Sequence, residues 1–215
     1  GWNRAWQQFE CEVLELTNQR RAAGASCGGK RMPPVGPLVR QQQLTASARA
    51  HAKDMGDKNY FDHYSRDGRS PFDRMQAAGF SGLSMAENIS AGQPSPRQVV
   101  DAWMTSPHHC ENIMNGALTS LGVGYYLTPS GKYRHMWVQN FGGGGSAGGF
   151  VPKPKQAPPP SKQQPTTPAT NCLKMEQIFA AAPCFFVRGD RYEGPPELLQ
   201  GLDPAKVVAF CKQTL

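Results

Sequence analysis

Apolar side chains recur along the first 140 residues with two periods, one helical and one alternating, and the pattern sets the expected elements. Over residues 4–22, Phe9, Val13, Leu16 and Arg20 fall at helical spacing and Gly24 ends the run. Residues 41–57 repeat the signal, with Leu44, Ala48, His51 and Met55 on one stripe. His51 is read there as a helix-face histidine with a local hydrogen bond. Between the two helices, Ser26–Leu38 is dense in glycine and proline, which break helix and strand alike, so a loop carrying Cys27 is expected. A short helix is expected over Pro71–Ala78, with Ser70 as N-cap, Pro71 at the first helical position, Asp73 at the third and Gly79 as the stop. Ser95 and Ser106, each followed by proline, start two more helices, and the second carries His109, Cys110, Ile113 and Met114. Leu121–Leu127 and Tyr133–Asn140 alternate as strands of a hairpin closed by the Thr128–Gly131 turn.

The chemistry concentrates in Phe61–Gly92, where His63 stands near one end and Glu87 near the other. A helix that leaves and a loop that returns bring the two together. An imidazole beside a carboxylate serves proton transfer or metal ligation.

Composition adds a second region. The chain has 215 residues, 39% of them hydrophobic, enough for one ordinary domain and something more. Three parts are expected: a domain over 1–141, a Gly- and Pro-rich linker over 142–170 and a small module over 171–215 that contains Cys172, Cys184 and Cys211. Helical patterns at about 173–182 and 204–214 give that module a thin core, which points to disulfides or docking onto a larger body; composition supports equally an accessory module for docking or surface attachment and a passive cap on the first domain. The formal charge of +7 is scattered rather than gathered with aromatics on one element, so nucleic acid is not an expected partner. No run approaches the roughly 18 to 20 apolar residues of a membrane helix. The first residue is Gly1 and not Met, from which removal of an export signal is expected. Six cysteines without a C-x-x-C pair fit disulfides in an oxidising compartment, so an extracellular or periplasmic location is expected.

Taken together, several segments resemble the cysteine-rich secretory, antigen 5 and pathogenesis-related superfamily, the CAP or SCP domain, in its bacterial branch. They are Leu16-Thr17-Asn18 with Arg21, Ala50-His51-Ala52 through Met55, Phe61-Asp62-His63, Ala86-Glu87-Asn88-Ile89 with Gly92, Trp103 with Ser106-Pro107 and His109–Asn112, Gly122–Tyr125, and Trp137–Gly142. The resemblance implies a mixed α/β fold, a three-layer α-β-α sandwich, with a groove lined by histidines and acidic residues. Carried over residue by residue, His63 and Glu87 line that groove and His109 matches the histidine of the bacterial Ser-Pro-x-His signature. Ser106 stands near the second acidic position of other branches. His135 lies one residue from the last groove histidine, so it points inward only across a bulge. The resemblance also implies a Cys27–Cys110 disulfide, with the pairing of Cys11, Cys172, Cys184 and Cys211 left open. His63, Glu87 and His109 are the expected ligands should a divalent metal such as zinc bind. Function is expected to be binding of a lipid, a small molecule or a protein. The alternative is a metal-assisted or serine-type hydrolase using Ser65, Ser90 or Ser106, for which no G-x-S-x-G motif speaks.

Overall fold

The computed structural model describes residues 2–144 together with 187–188 and 191–192. The chain divides into two units, Gly1–Thr170 and Asn171–Leu215. Of the second, the described part is a two-stranded antiparallel ladder, β7 (Val187–Arg188) with β8 (Arg191–Tyr192). The helices expected at 173–182 and 204–214, and the cysteines at 172, 184 and 211, lie outside the described residues.

The first unit runs α1 (Arg4–Ala23), β1 (Ala25–Cys27), β2 (Lys30–Met32), β3 (Val39–Arg40), α2 (Gln42–Asp57), α3 (Pro71–Ala77), β4 (Ser84–Ala91), α4 (Pro96–Thr105), α5 (Pro107–Ile113), β5 (Ser120–Leu127) and β6 (His135–Gly143). Its main sheet has the order β3-β5-β6-β4, antiparallel except for the β3–β5 pair. On one face, Ala48, Ala52 and Met55 of α2 meet Ile89, Met136 and Val138 in a buried cluster. On the other face lie α1, α4 and α5, where Phe9 stacks on Trp137 at 5.8 Å between ring centroids. The result is the three-layer sandwich.

Of the expected caps, those at Ser70 and Ser95 form, whereas the Ser106 side chain makes no capping bond. Ser70 and Asp73 make a reciprocal capping box at α3, and the Ser95 hydroxyl accepts from the Gln98 amide at α4. Two glycines explain how tightly α2 lies on the sheet: a Cβ at Gly122 would stand 2.0 Å from the Leu44 carbonyl carbon, and one at Gly124 would stand 2.3 Å from that of Ala48. Backbone packs on backbone there, and no side chain fits between.

Four expectations change. Ser26–Leu38 is not wholly loop, because β1 and β2 pair across Gly28 and Gly29, whose positive φ values of 57° and 90° fit a tight hairpin turn. The return to Glu87 is not a loop but strand β4, which pairs with β6. In α1, Arg20 is exposed and pairs with Asp101, whereas Arg21 is 1% exposed. The Arg21 guanidinium donates to the carbonyls of Gly36, Ile113, Asn115 and Leu118, tying α1 to the end of α5. Gly142 and Gly143, which composition assigns to the linker, pair in β6 with Met85 and Ser84.

The Cys27–Cys110 disulfide joins the β1–β2 hairpin to α5, with a Cα–Cα distance of 5.4 Å. Cys11, buried on α1, is also in a disulfide.

Candidate functional site

Strand β4 organises the site, because successive side chains of a strand point to opposite faces. Glu87, opposite Asn140, shares the α2 face with Ile89, while Asn88 faces the α5 layer.

On the α2 side, Glu87 Oε1 lies 2.9 Å from His63 Nδ1 and Oε2 accepts from Arg74 Nη2 at 2.7 Å. A carboxylate accepts only, so Nδ1 carries the hydrogen, and in the neutral ring Nε2 is left as the lone-pair nitrogen. The Glu87 side chain is 1% exposed and that of His63 44%, so a buried acid holds a ring that opens to solvent. Asn140 completes the acid's shell: in the orientation that satisfies both ends of its amide, Nδ2 donates to Glu87 Oε2 at 2.9 Å while Oδ1 accepts from Ser47 Oγ and the Ala48 amide.

Arg74 also shapes the loop that forms the groove wall. Its Nη1 donates to the His63 carbonyl at 2.7 Å, to Ser65 Oγ at 3.1 Å and to the Arg69 carbonyl at 3.1 Å. Behind the same loop sits His51, 1% exposed, whose Nε2 donates to the Asp62 carbonyl at 2.9 Å. Burial pushes its pKa down, against the opposing pull of the Glu87 charge. The loop encloses an open cleft of about 350 Å³ lined by Tyr60, Phe61, Asp62, Tyr64, Ser65 and Arg66 among others. Phe61 and Tyr64 present rings to solvent.

On the α5 side, Asn88 Nδ2 donates to the His109 carbonyl at 3.2 Å and Asn112 Nδ2 donates to Asn88 Oδ1 at 2.9 Å. The His109 ring is partly buried, and its pKa is lowered by burial first and then by the nearby His63 and His108 rings. It therefore stands within electrostatic range of His63. Ser106 closes α4 and opens α5 without a capping bond from its side chain.

His135 belongs elsewhere. The β5–β6 ladder runs from Ser120–Gly142 to Leu127–His135 without a bulge, which leaves His135 on the face opposite Glu87. There its Nδ1 meets the Tyr125 hydroxyl at 2.8 Å. Burial pushes that hydroxyl's pKa up to about 12.

The residues gathered at Glu87 do not fit a divalent cation. Both carboxylate oxygens are engaged by internal partners, one of them a guanidinium. Among the described residues no three His, Cys, Asp or Glu side chains are grouped so as to hold a metal. The candidate nucleophiles also have other neighbours: Ser65 Oγ accepts from Arg74, and Ser90 Oγ donates to Gln93.

Sequence reading missed Arg74 and Asn140 and left Asn88 and His51 without roles at the site. The signal for Arg74 was present. Pro71, Arg74 and Met75 fall on the buried stripe of α3, and an arginine at such a position needs an acid nearby.

A fold with this sheet order, a His–Glu pair at the edge strand and a hairpin disulfide-linked to α5 defines a class, and the comparisons identify it. Residues 14–141 match the model of the cysteine-rich secretory protein family, CAP, and the chain belongs to that family. It is 42% identical over 133 residues to the uncharacterized protein YkwD of Bacillus subtilis, covering 62% of this chain and 46% of that one. It is 28% identical over 140 residues to the uncharacterized membrane protein YlbC of the same organism, covering 65% of this chain and 36% of that one. The chain thus spans less than half of these relatives. Among solved structures, an extracellular SCP-domain protein of Bacillus anthracis is 29% identical with a TM-score of 0.53, covering 62% of this chain and 40% of that one. Among the described residues, no helix is long and apolar enough to cross a membrane.

Proposed function

We propose that this chain is a secreted binding domain, in which the cleft beside His63 takes a small ligand, or one projecting group of a larger partner, through Nε2 and the flanking rings. The observation that carries the reading is the His63–Glu87 pair. A carboxylate 1% exposed fixes the tautomer of an imidazole 44% exposed, so one acceptor nitrogen is held ready toward solvent, on the residue between Asp62 and Tyr64 of the cleft lining. Phe61 and Tyr64 add apolar faces at the rim. Such a site suits a ligand with one hydrogen-bond donor next to a flat or apolar group. A location outside the cytoplasm agrees with the description of the Bacillus anthracis protein as extracellular.

The test is a ligand screen by saturation-transfer NMR with fragments, short peptides and phosphatidylcholine micelles, repeated on His63→Ala and Tyr64→Ala. Genuine ligands should shift His63 and Tyr64 resonances, and each variant should lose at least about tenfold in affinity, or 1.4 kcal/mol. Hits that bind both variants as tightly as wild type would remove the cleft from consideration. His63-dependent turnover of p-nitrophenyl acetate would favour the hydrolase reading instead.

A further inference from the structure

We infer that Arg74 is the specificity-determining residue at the His63–Glu87 pair: its guanidinium holds the place at Glu87 that a divalent cation needs, so the pair selects hydrogen-bonding ligands over metal ions.

A histidine next to a carboxylate is an obvious invitation to a metal, and the question is what this carboxylate already binds. Arg74 Nη2 lies 2.7 Å from Glu87 Oε2, with side-chain exposures of 5% and 1%. The other oxygen takes the His63 Nδ1 hydrogen at 2.9 Å. A metal at Glu87 would have to evict the guanidinium, and the guanidinium has no ready alternative position. Nη1 is pinned by the His63 carbonyl, the Ser65 hydroxyl and the Arg69 carbonyl, so one arm of the fork is anchored from the loop side while Nη2 faces Glu87. If it stayed, the dication would sit against an unpaired buried positive charge, where screening by water is weak.

Lysine could not substitute. One ammonium cannot span the carboxylate and the loop carbonyls at once, whereas the planar fork of arginine does. The placement follows from helix register. Asp73 is spent on the capping box at the exposed side of α3, and the next residue turns inward onto the buried stripe.

This inference rests on the binding-domain reading only in taking the His63–Glu87 pair as part of the site beside the cleft. Its experiment uses zinc alone, so failure here leaves the ligand screen untouched. Isothermal titration of Zn²⁺ into the oxidised 215-residue chain compares wild type, Arg74→Gln and Arg74→Gln/Glu87→Gln. Arg74→Gln should bind Zn²⁺ at least tenfold more tightly than wild type, and the double variant should lose that gain. A folded Arg74→Gln chain that binds no more tightly than wild type overturns the inference. So does a gain that survives in the double variant. Should Arg74→Gln fail to fold, wild type decides by NMR: saturating Zn²⁺ should leave the Arg74 Nε–Hε resonance in place, and a zinc-dependent shift of it overturns the proposal.

Discussion

Glu87 and Arg74 form a buried ion pair whose worth depends on both partners remaining. Glu87→Gln keeps the shape of the side chain but strands a guanidinium that is 5% exposed. Urea unfolding should show a loss of about 3 to 5 kcal/mol, the usual range for breaking one half of such a pair. His51 gives a second prediction. Its pKa lies below the ordinary value of 6.5 because burial disfavours the imidazolium, and its Nδ1 has no hydrogen-bond partner. The unfolded chain therefore binds a proton more readily than the folded one, so stability is full above about pH 6.5 and falls as pH drops through that value toward the lower folded pKa. Partly buried His109 and His135 are shifted in the same direction and add to the slope. Urea midpoints between pH 5 and 7.5 should fall with acid, and His51→Gln should flatten the curve. An unchanged slope would place the acid sensitivity in the other two histidines.

At the scale of elements, α5 is a short helix held from three sides. Its N-terminal half is bonded through Cys110 to the β1–β2 hairpin, Asn88 grips the His109 carbonyl, and Arg21 caps the carbonyls at and beyond its end. The disulfide closes a separation of 83 residues. In the chain-entropy model, a loop of that length contributes roughly 4 to 5 kcal/mol. Replacing both cysteines with alanine should lower the melting temperature accordingly. It should also broaden or shift the His109 ring resonances, since the residue beside the bond loses its anchor. A melting temperature within a degree of wild type would show that Asn88 and Arg21 hold α5 unaided.

At the scale of the molecule, the sheet, the helical layers and the groove all lie within residues 2–144. Sequence composition between 145 and 170 is rich in proline, glycine and lysine without an apolar period, which suits protease access. Limited trypsin digestion should therefore cut first at Lys155 or Lys162. A fragment ending near residue 144 should keep a cooperative melting transition and the His63–Glu87 contact. Loss of that transition would mean that the remainder of the chain contributes to the core of the first unit.

Local rules were enough for the helices, the caps of α3 and α4 and the β5–β6 hairpin, because apolar spacing, capping hydroxyls and turn residues act over a few positions. His63 and Glu87 were also legible, as a loop histidine and an acid separated by one helix. Tertiary structure decided the rest. Which face of β6 carries His135 depended on an unbulged register with β5, a property of two strands together. Gly122 and Gly124 acquire their meaning only from the α2 backbone 2.0 and 2.3 Å from where their side chains would begin. Above all, Arg74 is one of 23 basic residues in the sequence, and burial beside Glu87 is what separates it from the others. Periodicity can place a side chain on the inner face of a helix. It cannot say which charge waits there, because the partner arrives on a strand 13 residues later, across a contact that exists only after the layers have packed.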